Sequence, residues 1–306
     1  MRILIVANFN TGHFSPFVVE QVDSIRKLGV EFEYFGVVGK GPLGYLKNLP
    51  ALKRKIKEFK PDIIHAHYGL SGLLATLQKK VPVIVTYHGS DIHSGGMILF
   101  FSLLAARMAA FNIFVSKKLL NRSNYKGKNV EIIACGVDIS NFHPIEKNKA
   151  RRELGWDIDK KYILFAGAFD REIKNATLAK EAVSKIGKVE LIELKGFSRR
   201  DVCNALNASD CLLMTSNNEG SPQIIKEAMA CNTPIVSVNV GDVEDVIGKC
   251  GNCYITDYNS LEIADRINKI FKDNTHTEGY RHIVALQLTN DLVAKRVLAV
   301  YNKILK

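Results

Sequence analysis

The chain has 306 residues, 47% of them hydrophobic, with 22 glycines and 8 prolines, which fits a globular protein and excludes a disordered or fibrous one. Its 42 lysines and arginines stand against 31 acids, a formal charge of +11 that favours anionic partners and leaves the fold open. No apolar run reaches the ~18 residues of a membrane-spanning helix.

The first element, RILIVAN (2–8), is a strand that starts at once and leaves no room for a secretory signal, so a cytoplasmic protein is expected. FVVEQVDSIRKLG (17–29) reads as a helix and EFEYFGVV (31–38) as a second strand. GKGPLG (39–44) fits the glycine pattern of a dinucleotide loop. It follows the second strand rather than the first, Pro42 removes a needed amide, and no acid closes the unit, so dinucleotide binding is set aside. The segment LKNLPALKRKIKEFKP (46–61) spaces Leu49, Leu52, Ile56 and Phe59 at helical steps among five cations. It reads first as a solvated basic face and, functionally, as a surface for anionic lipid. Sparse aromatics and the lack of a recognition motif argue against nucleic acid.

DIIHAH (62–67) and VPVIVTYH (81–88) are further strands, and His65 and His67 are expected to face opposite sides of theirs. GGMILFFSLLAARMAAFNIFVS (95–116) is interrupted by Ser102 and Arg107 and predicts a helix buried on most sides, then a strand. VEIIAC (130–135) ends this first series of strands. Residues 141–161 are polar and lack strand character. A second series follows: YILFAGA, VELIEL, CLLMTS, PIVSV and NCYIT, separated by helical runs.

Continuous apolar strands alternating with helices predict parallel sheets covered on both faces. The fold class is α/β, with two Rossmann-like doubly wound domains, 1–144 and 145–287, whose ligands bind at the carboxyl ends of the strands, between the domains. The helical run 288–306 is free to pack back on the first domain. Six cysteines are scattered, and CGNC (250–253) has no second pair at metal spacing, so incidental thiols and no metal are expected.

The most informative stretch is NNEGSPQIIKEAMACNTP (217–234). Ser221 is placed to cap a helix that starts at Pro222, at the carboxyl end of a strand. The free amides of such a terminus attract phosphate. Glu227 lies roughly 7–8 Å further along the axis, and Glu219 on the far side of the terminus. Two carboxylates flanking a phosphate site suit a nucleoside diphosphate sugar. The plainer alternative makes Glu219 an exposed loop residue and pairs Glu227 with a cation.

Residues 219–248, EGSPQIIKEAMACNTPIVSVNVGDVEDVIG, resemble the signature of retaining glycosyltransferases of family 4, which have the GT-B fold. DIIHAH, VTYHGSD (85–91), FVSKKL (114–119) and CGVDISNFHP (135–144) agree with it in order along nearly the whole chain, in the manner of polysaccharide-assembly members. The resemblance implies that Glu219 binds sugar hydroxyls near the reacting carbon, that Glu227 holds the ribose, and that Gly220, Ser221 and Pro222 line the sugar and phosphate. It further implies that Gly12 lets the backbone approach the diphosphate and that His88 sits at the donor sugar. The family's diphosphate arginine is replaced by Ala168, its lysine is matched by Lys174 one residue late, and Arg171 is the candidate replacement charge.

The expected reaction is retaining transfer from a nucleotide sugar, with UDP the first expectation for the base, to a glycan or lipid-linked hydroxyl. Neither cofactor nor metal is required. A GT-B sugar-nucleotide epimerase or phosphorylase, or a non-catalytic nucleotide-sugar-binding subunit, stays open as an alternative. Peripheral contact with the inner membrane face is the associated expectation for location.

Overall fold

The computed structural model describes residues 1–273 and 277–306. The chain divides into two compact units, Met1–Gly136 with Asn290–Lys306, and Val137–Thr289.

The first unit contains β1 (Arg2–Asn8), β2 (Glu31–Val37), β3 (Ile63–His67), β4 (Val83–Tyr87), β5 (Phe111–Phe114) and β6 (Val130–Ile132). They form one sheet in the order β2-β1-β3-β4-β5-β6, with every pairing parallel. Side chains alternate across it: Ile3 and Ile5 enter one buried cluster, Leu4 and Val6 the other. The sheet is therefore covered on both faces, as its unbroken apolar inner strands require.

Helix Leu49–Phe59 buries Leu52, Ile56 and Phe59 in one of these clusters and leaves Lys53, Arg54 and Lys57 in solvent. On the opposite face, helix Asn290–Leu305 buries Val293, Ala294, Val297, Val300 and Tyr301. That packing assigns the chain's last helix to the first unit.

Helix Gly96–Met108 departs from expectation. Its buried residues are Ser102, Ala105 and Ala106, while Met97 (66%) and Phe100 (62%) are exposed. Small residues explain this: a Cβ on Gly69 would lie 2.1 Å from the Ser102 hydroxyl. The helix thus packs on helix Gly69–Thr76 through its small face, and its bulky side chains turn outward.

The second unit contains β7 (Tyr162–Phe165), β8 (Glu190–Glu193), β9 (Cys211–Met214), β10 (Ile235–Val238) and β11 (Cys253–Thr256). Their order is β11-β10-β9-β7-β8, again wholly parallel. The unit begins earlier than the sequence pattern places it. The Val137 amide donates to the Leu288 carbonyl at 2.9 Å and Val137 bridges Thr289, which draws residues 137–144 and 288–289 into this unit.

Strand order reverses between β1 and β3 in the first sheet and between β7 and β9 in the second. Loops leaving neighbouring strands at such a reversal part in opposite directions and open a crevice.

Candidate active site

In the second unit the crevice is built from the exits of β7 and β9. The β9 exit runs through Thr215–Pro222 into helix Gln223–Ala230, and the β7 exit runs through Ala166–Arg171 into a 3-10 turn, Glu172–Lys174. Hydrogen bonds tie the loops together: the Thr215 hydroxyl donates to the carbonyls of Lys174 (3.1 Å) and Asn175 (2.9 Å), the Asn217 amide donates to the Ile173 carbonyl (2.9 Å), and Asn175 Nδ2 donates to Asn217 Oδ1 (3.3 Å).

That lacing places Lys174 against Glu219, Nζ to Oε1 at 2.7 Å, with the two side chains 19% and 18% exposed. Gly167 makes room for it, since a Cβ there would lie 2.7 Å from Lys174 Cγ. The charges are sheltered yet accessible, which strengthens their field relative to a surface pair. Arg171 caps the same 3-10 turn with its side chain in solvent.

Ser221 does not cap the helix. The N-cap residue is Pro222, which has no side-chain donor or acceptor, and the Ser221 hydroxyl instead donates to Asp242 Oδ2 at 2.6 Å. Lys226, fully buried on that helix, reaches both Ser221 Oγ and Asp242 Oδ2, the latter at 3.3 Å. A buried ammonium needs a charged partner, and Asp242 supplies it. Gly220 is fixed by the same turn: a Cβ on Gly241, where φ is +55°, would lie 2.8 Å from the Gly220 carbonyl oxygen.

Glu227 is buried and accepts from Arg199 Nη1 at 2.8 Å, while that guanidinium lies 4.6 Å from the centre of the Phe142 ring. Burial raises the Glu227 pKa and Arg199 pulls it back. The cation-paired alternative weighed for Glu227 is therefore its state here.

In the first unit, Gly12 has φ +78° in the β1 exit loop, with open space where a side chain would stand. His88 follows β4. Its Nε2 meets His67 Nδ1 at 3.0 Å, its Nδ1 meets Cys135 Sγ at 3.7 Å, and its ring packs against Phe17 and Tyr68. Burial, then His67, holds its pKa well below the ordinary histidine value. His88 is thus a neutral imidazole at neutral pH. His65 and His67 do not face opposite sides: their rings stack at 4.6 Å, because residues two apart on a strand return to the same face.

Residues 12–141 match the pattern of Glycosyltransferase Family 4, and residues 163–273 that of Glycosyl transferases group 1. The chain belongs to the family 4, group 1 glycosyltransferases. Among curated relatives it is 25% identical over 247 residues to TuaC of Bacillus subtilis, named for teichuronic acid biosynthesis, covering 70% of this chain and 62% of that one. The chain thus spans less than two thirds of that relative. It is 24% identical over 340 aligned positions to a Campylobacter jejuni N,N'-diacetylbacillosaminyl-diphospho-undecaprenol alpha-1,3-N-acetylgalactosaminyltransferase, covering 94% and 89% of the two chains.

Two solved structures share the fold. Sucrose-phosphate synthase of Thermosynechococcus elongatus matches with TM-score 0.87 at 16% identity over 99% of both chains. Anabaena HepE in complex with UDP and glucose matches with TM-score 0.79 at 15% identity, over 99% of this chain and 100% of that one. The architecture is that of GT-B glycosyltransferases.

The structure brings Lys174 and Glu219 together, and likewise Ser221 and the turn that fixes Gly220. Arg199, Lys226 and Asp242 escaped the sequence reading, and Cys135 was read only as an incidental thiol. Lys226 alone had a visible signal: it interrupts IIKEAMA, a helix apolar on nearly every side, where a lysine must find an internal partner.

Proposed function

We propose that the chain moves a sugar from a nucleoside diphosphate sugar to a hydroxyl of a glycan or lipid-linked acceptor, with retention at the anomeric carbon. The observation that carries this reading is the Lys174–Glu219 pair at the strand-order reversal of the second sheet. Glu219 accepts from donor-sugar hydroxyls, while Lys174, assisted by Arg171, opposes the charge that grows on the leaving diphosphate. Backbone of Gly220, Ser221 and Pro222 lines the sugar and phosphates. The amino end of helix Gln223–Ala230 favours the anion. Glu227, oriented by Arg199, accepts from the ribose hydroxyls.

In the proposed step the bond from the anomeric carbon to the diphosphate oxygen breaks. The acceptor oxygen bonds that carbon on the same face, and its proton passes to the departing diphosphate. The charge is met by protein groups, so no metal or other cofactor enters and a chelator should leave the rate unchanged. Gly12 and His88 are the candidates of the first unit, Gly12 for close backbone approach to the diphosphate and His88 as a neutral hydrogen-bonding group at the donor sugar. UDP is the first base to test, a choice supported by the fold shared with a protein crystallised with UDP and glucose. A lipid-linked acceptor is supported by the undecaprenol-linked substrate in the name of the Campylobacter relative.

The assay is release of nucleoside diphosphate from a panel of nucleotide sugars, with and without a bacterial lipid extract as acceptor source. Release should depend on the extract, and Glu219→Ala should lower it at least ~100-fold with folding intact. Product formed from the donor alone would mark an epimerase. Binding without release would mark a non-catalytic subunit.

A cytoplasmic location at the inner membrane face belongs to the same proposal. No helix among the described residues is long and apolar enough to cross a membrane. Helix Leu49–Phe59 keeps its apolar side in the core, so contact would be electrostatic, through Lys53, Arg54 and Lys57. Sedimentation with phosphatidylglycerol vesicles should succeed at low salt and fail at high salt. Failure at low salt would remove the membrane contact.

A further inference from the structure

The second unit holds a cavity of about 480 Å³, within the ~300–1,000 Å³ range of small-molecule sites. It lies at the amino end of β11, the opposite end of this parallel sheet from the exits of β7 and β9. One wall is residues 249–252, the other Thr277, Glu278 and one side of helix Gly279–Ala285. The first wall contains Cys250 of the CGNC stretch, which the sugar transfer proposed above leaves without a role. Among the described residues no group of histidines, cysteines and acids could hold a metal ion.

The backbone brings the two cysteines of CGNC together. The Cys250 amide donates to the Ile247 carbonyl at 2.9 Å, which pins it to the end of helix Val243–Ile247. The Cys253 amide donates to the Cys250 carbonyl at 3.3 Å, and Asn252, at φ +59°, turns the chain between them. A four-residue turn of this kind keeps its end Cα atoms within ~7 Å, and a disulfide spans ~4.4–6.8 Å between Cα atoms. The two thiols are in hydrogen-bond contact, and both are free.

Their surroundings differ. Cys250 lines the cavity. Cys253, half-buried on the edge strand β11, does not line it and directs its Sγ to Met229 Sδ at 3.9 Å. The Cys253 thiol, joined by the Glu278 amide and the Thr277 hydroxyl, favours the Cys250 thiolate and holds its pKa below the ordinary thiol value against burial and the Glu278 carboxylate. The same contact with Cys250 raises the pKa of Cys253. On the rim Arg281 pairs with Glu278 at 3.4 Å, and Lys249 leaves the rim net positive, a setting in which a thiolate is the reactive form.

We propose that Cys250 and Cys253 form a thiol–disulfide exchange site, with Cys250 as the attacking thiolate, Cys253 as the resolving thiol and a small disulfide as the ligand of the cavity. Cys250 attacks one sulfur of that disulfide. A bond from Cys250 to that sulfur forms, the ligand's own S–S bond breaks, and its other half leaves as a thiolate that takes up the Cys250 proton from solvent. Cys253 then loses its proton and attacks the Cys250 sulfur, which closes the Cys250–Cys253 bond and releases the second half as a thiol. The protein dithiol is oxidised and the ligand is reduced to a pair of thiols. In a reducing compartment such a site rests as the dithiol and is oxidised only transiently. The site is independent of the sugar transfer.

The experiment exposes the reduced full chain to oxidised glutathione at neutral pH, quenches with acid, and maps adducts and crosslinks by peptide mass spectrometry. Wild type should form the Cys250–Cys253 disulfide at least ~10-fold faster than any adduct at the buried Cys135 or Cys211, and dithiothreitol should reverse it. Cys253→Ser should stop at a glutathione adduct on Cys250. Cys250→Ser should form no crosslink here and modify Cys253 at least ~10-fold more slowly than Cys253→Ser modifies Cys250. A wild type whose Cys250 and Cys253 react no faster than Cys135 and Cys211 would overturn the proposal. So would a first crosslink between Cys203 and Cys231, whose Sγ atoms lie 3.9 Å apart, or equal modification of the two serine variants. The wild-type map decides between the exchange site and incidental thiols even where a variant does not fold.

Discussion

Lys226 braces the loop of the candidate site from inside the second unit. Its ammonium is fully buried between Ser221 and Asp242. Removing one member of such a pair strands the other, which typically costs about 3–5 kcal/mol, whereas replacing both by apolar groups is often neutral. Lys226→Met should therefore lower the unfolding free energy by about 3–5 kcal/mol, and Lys226→Met with Asp242→Leu should recover most of it, by urea denaturation. Equal losses in the two variants would mean that the pair is not what holds the loop. The glutamates were legible in sequence because the spacing of Glu219, Pro222 and Glu227 around a helix start is local. The partners of the carboxylates were not. Arg199 lies 28 residues from Glu227 and Lys174 lies 45 from Glu219, distances closed only by the strand order. Ser221 was misread because capping is the local default, and Asp242 competed for its hydroxyl from another turn.

At the scale of elements, the inner strands were visible as unbroken apolar runs, since a parallel strand buried on both faces has no polar side to blur it, while the half-buried edge strands Glu31–Val37, Val130–Ile132 and Glu190–Glu193 carry glutamates among their apolar residues. The runs overshot at their carboxyl ends. CLLMTS reads on past Met214 although Thr215 already turns to bond the neighbouring loop. Helix Gly96–Met108 was misjudged because hydrophobic content does not say which side packs, and here the small side does. Helix Asn290–Leu305 is anchored by a contact that sequence cannot show: the Tyr301 hydroxyl lies 2.7 Å from His65 Nδ1, and His65 Nε2 lies 2.7 Å from Thr86 Oγ1. Tyr301→Phe keeps the packing and strips one partner from a buried imidazole, a loss of about 1–3 kcal/mol. Urea denaturation followed by circular dichroism should register it. An unchanged midpoint would mean that apolar contact alone docks the helix.

For the whole molecule, the pH response follows from the buried histidines of the first unit. Burial lowers His67 from 6.5 to about 3, and His65 and His88 are displaced in the same direction. The unfolded chain binds more protons than the folded one below pH 6.5, so stability is lost as pH falls through that value. Between pH 6.5 and 5, His67 alone removes about 2 kcal/mol. Asp91 opposes this: burial raises it from 3.8 to about 6, so folding takes up its proton and stability gains about 1 kcal/mol from pH 6 to 5. Three histidines outweigh one acid, and the first unit should lose protection in β3 and β4 by hydrogen exchange as pH drops from 6.5 to 5. Constant protection would contradict neutral, buried imidazoles.

The most direct test of the proposed chemistry is nucleoside diphosphate release by wild type and Glu219→Ala, with a nucleotide-sugar panel and lipid extract. Acceptor-dependent release by the wild type, reduced at least ~100-fold in a variant that unfolds at the same urea concentration, is the expected result. Release by Glu219→Ala at near the wild-type rate would contradict the assignment of the Lys174–Glu219 pair as the donor site.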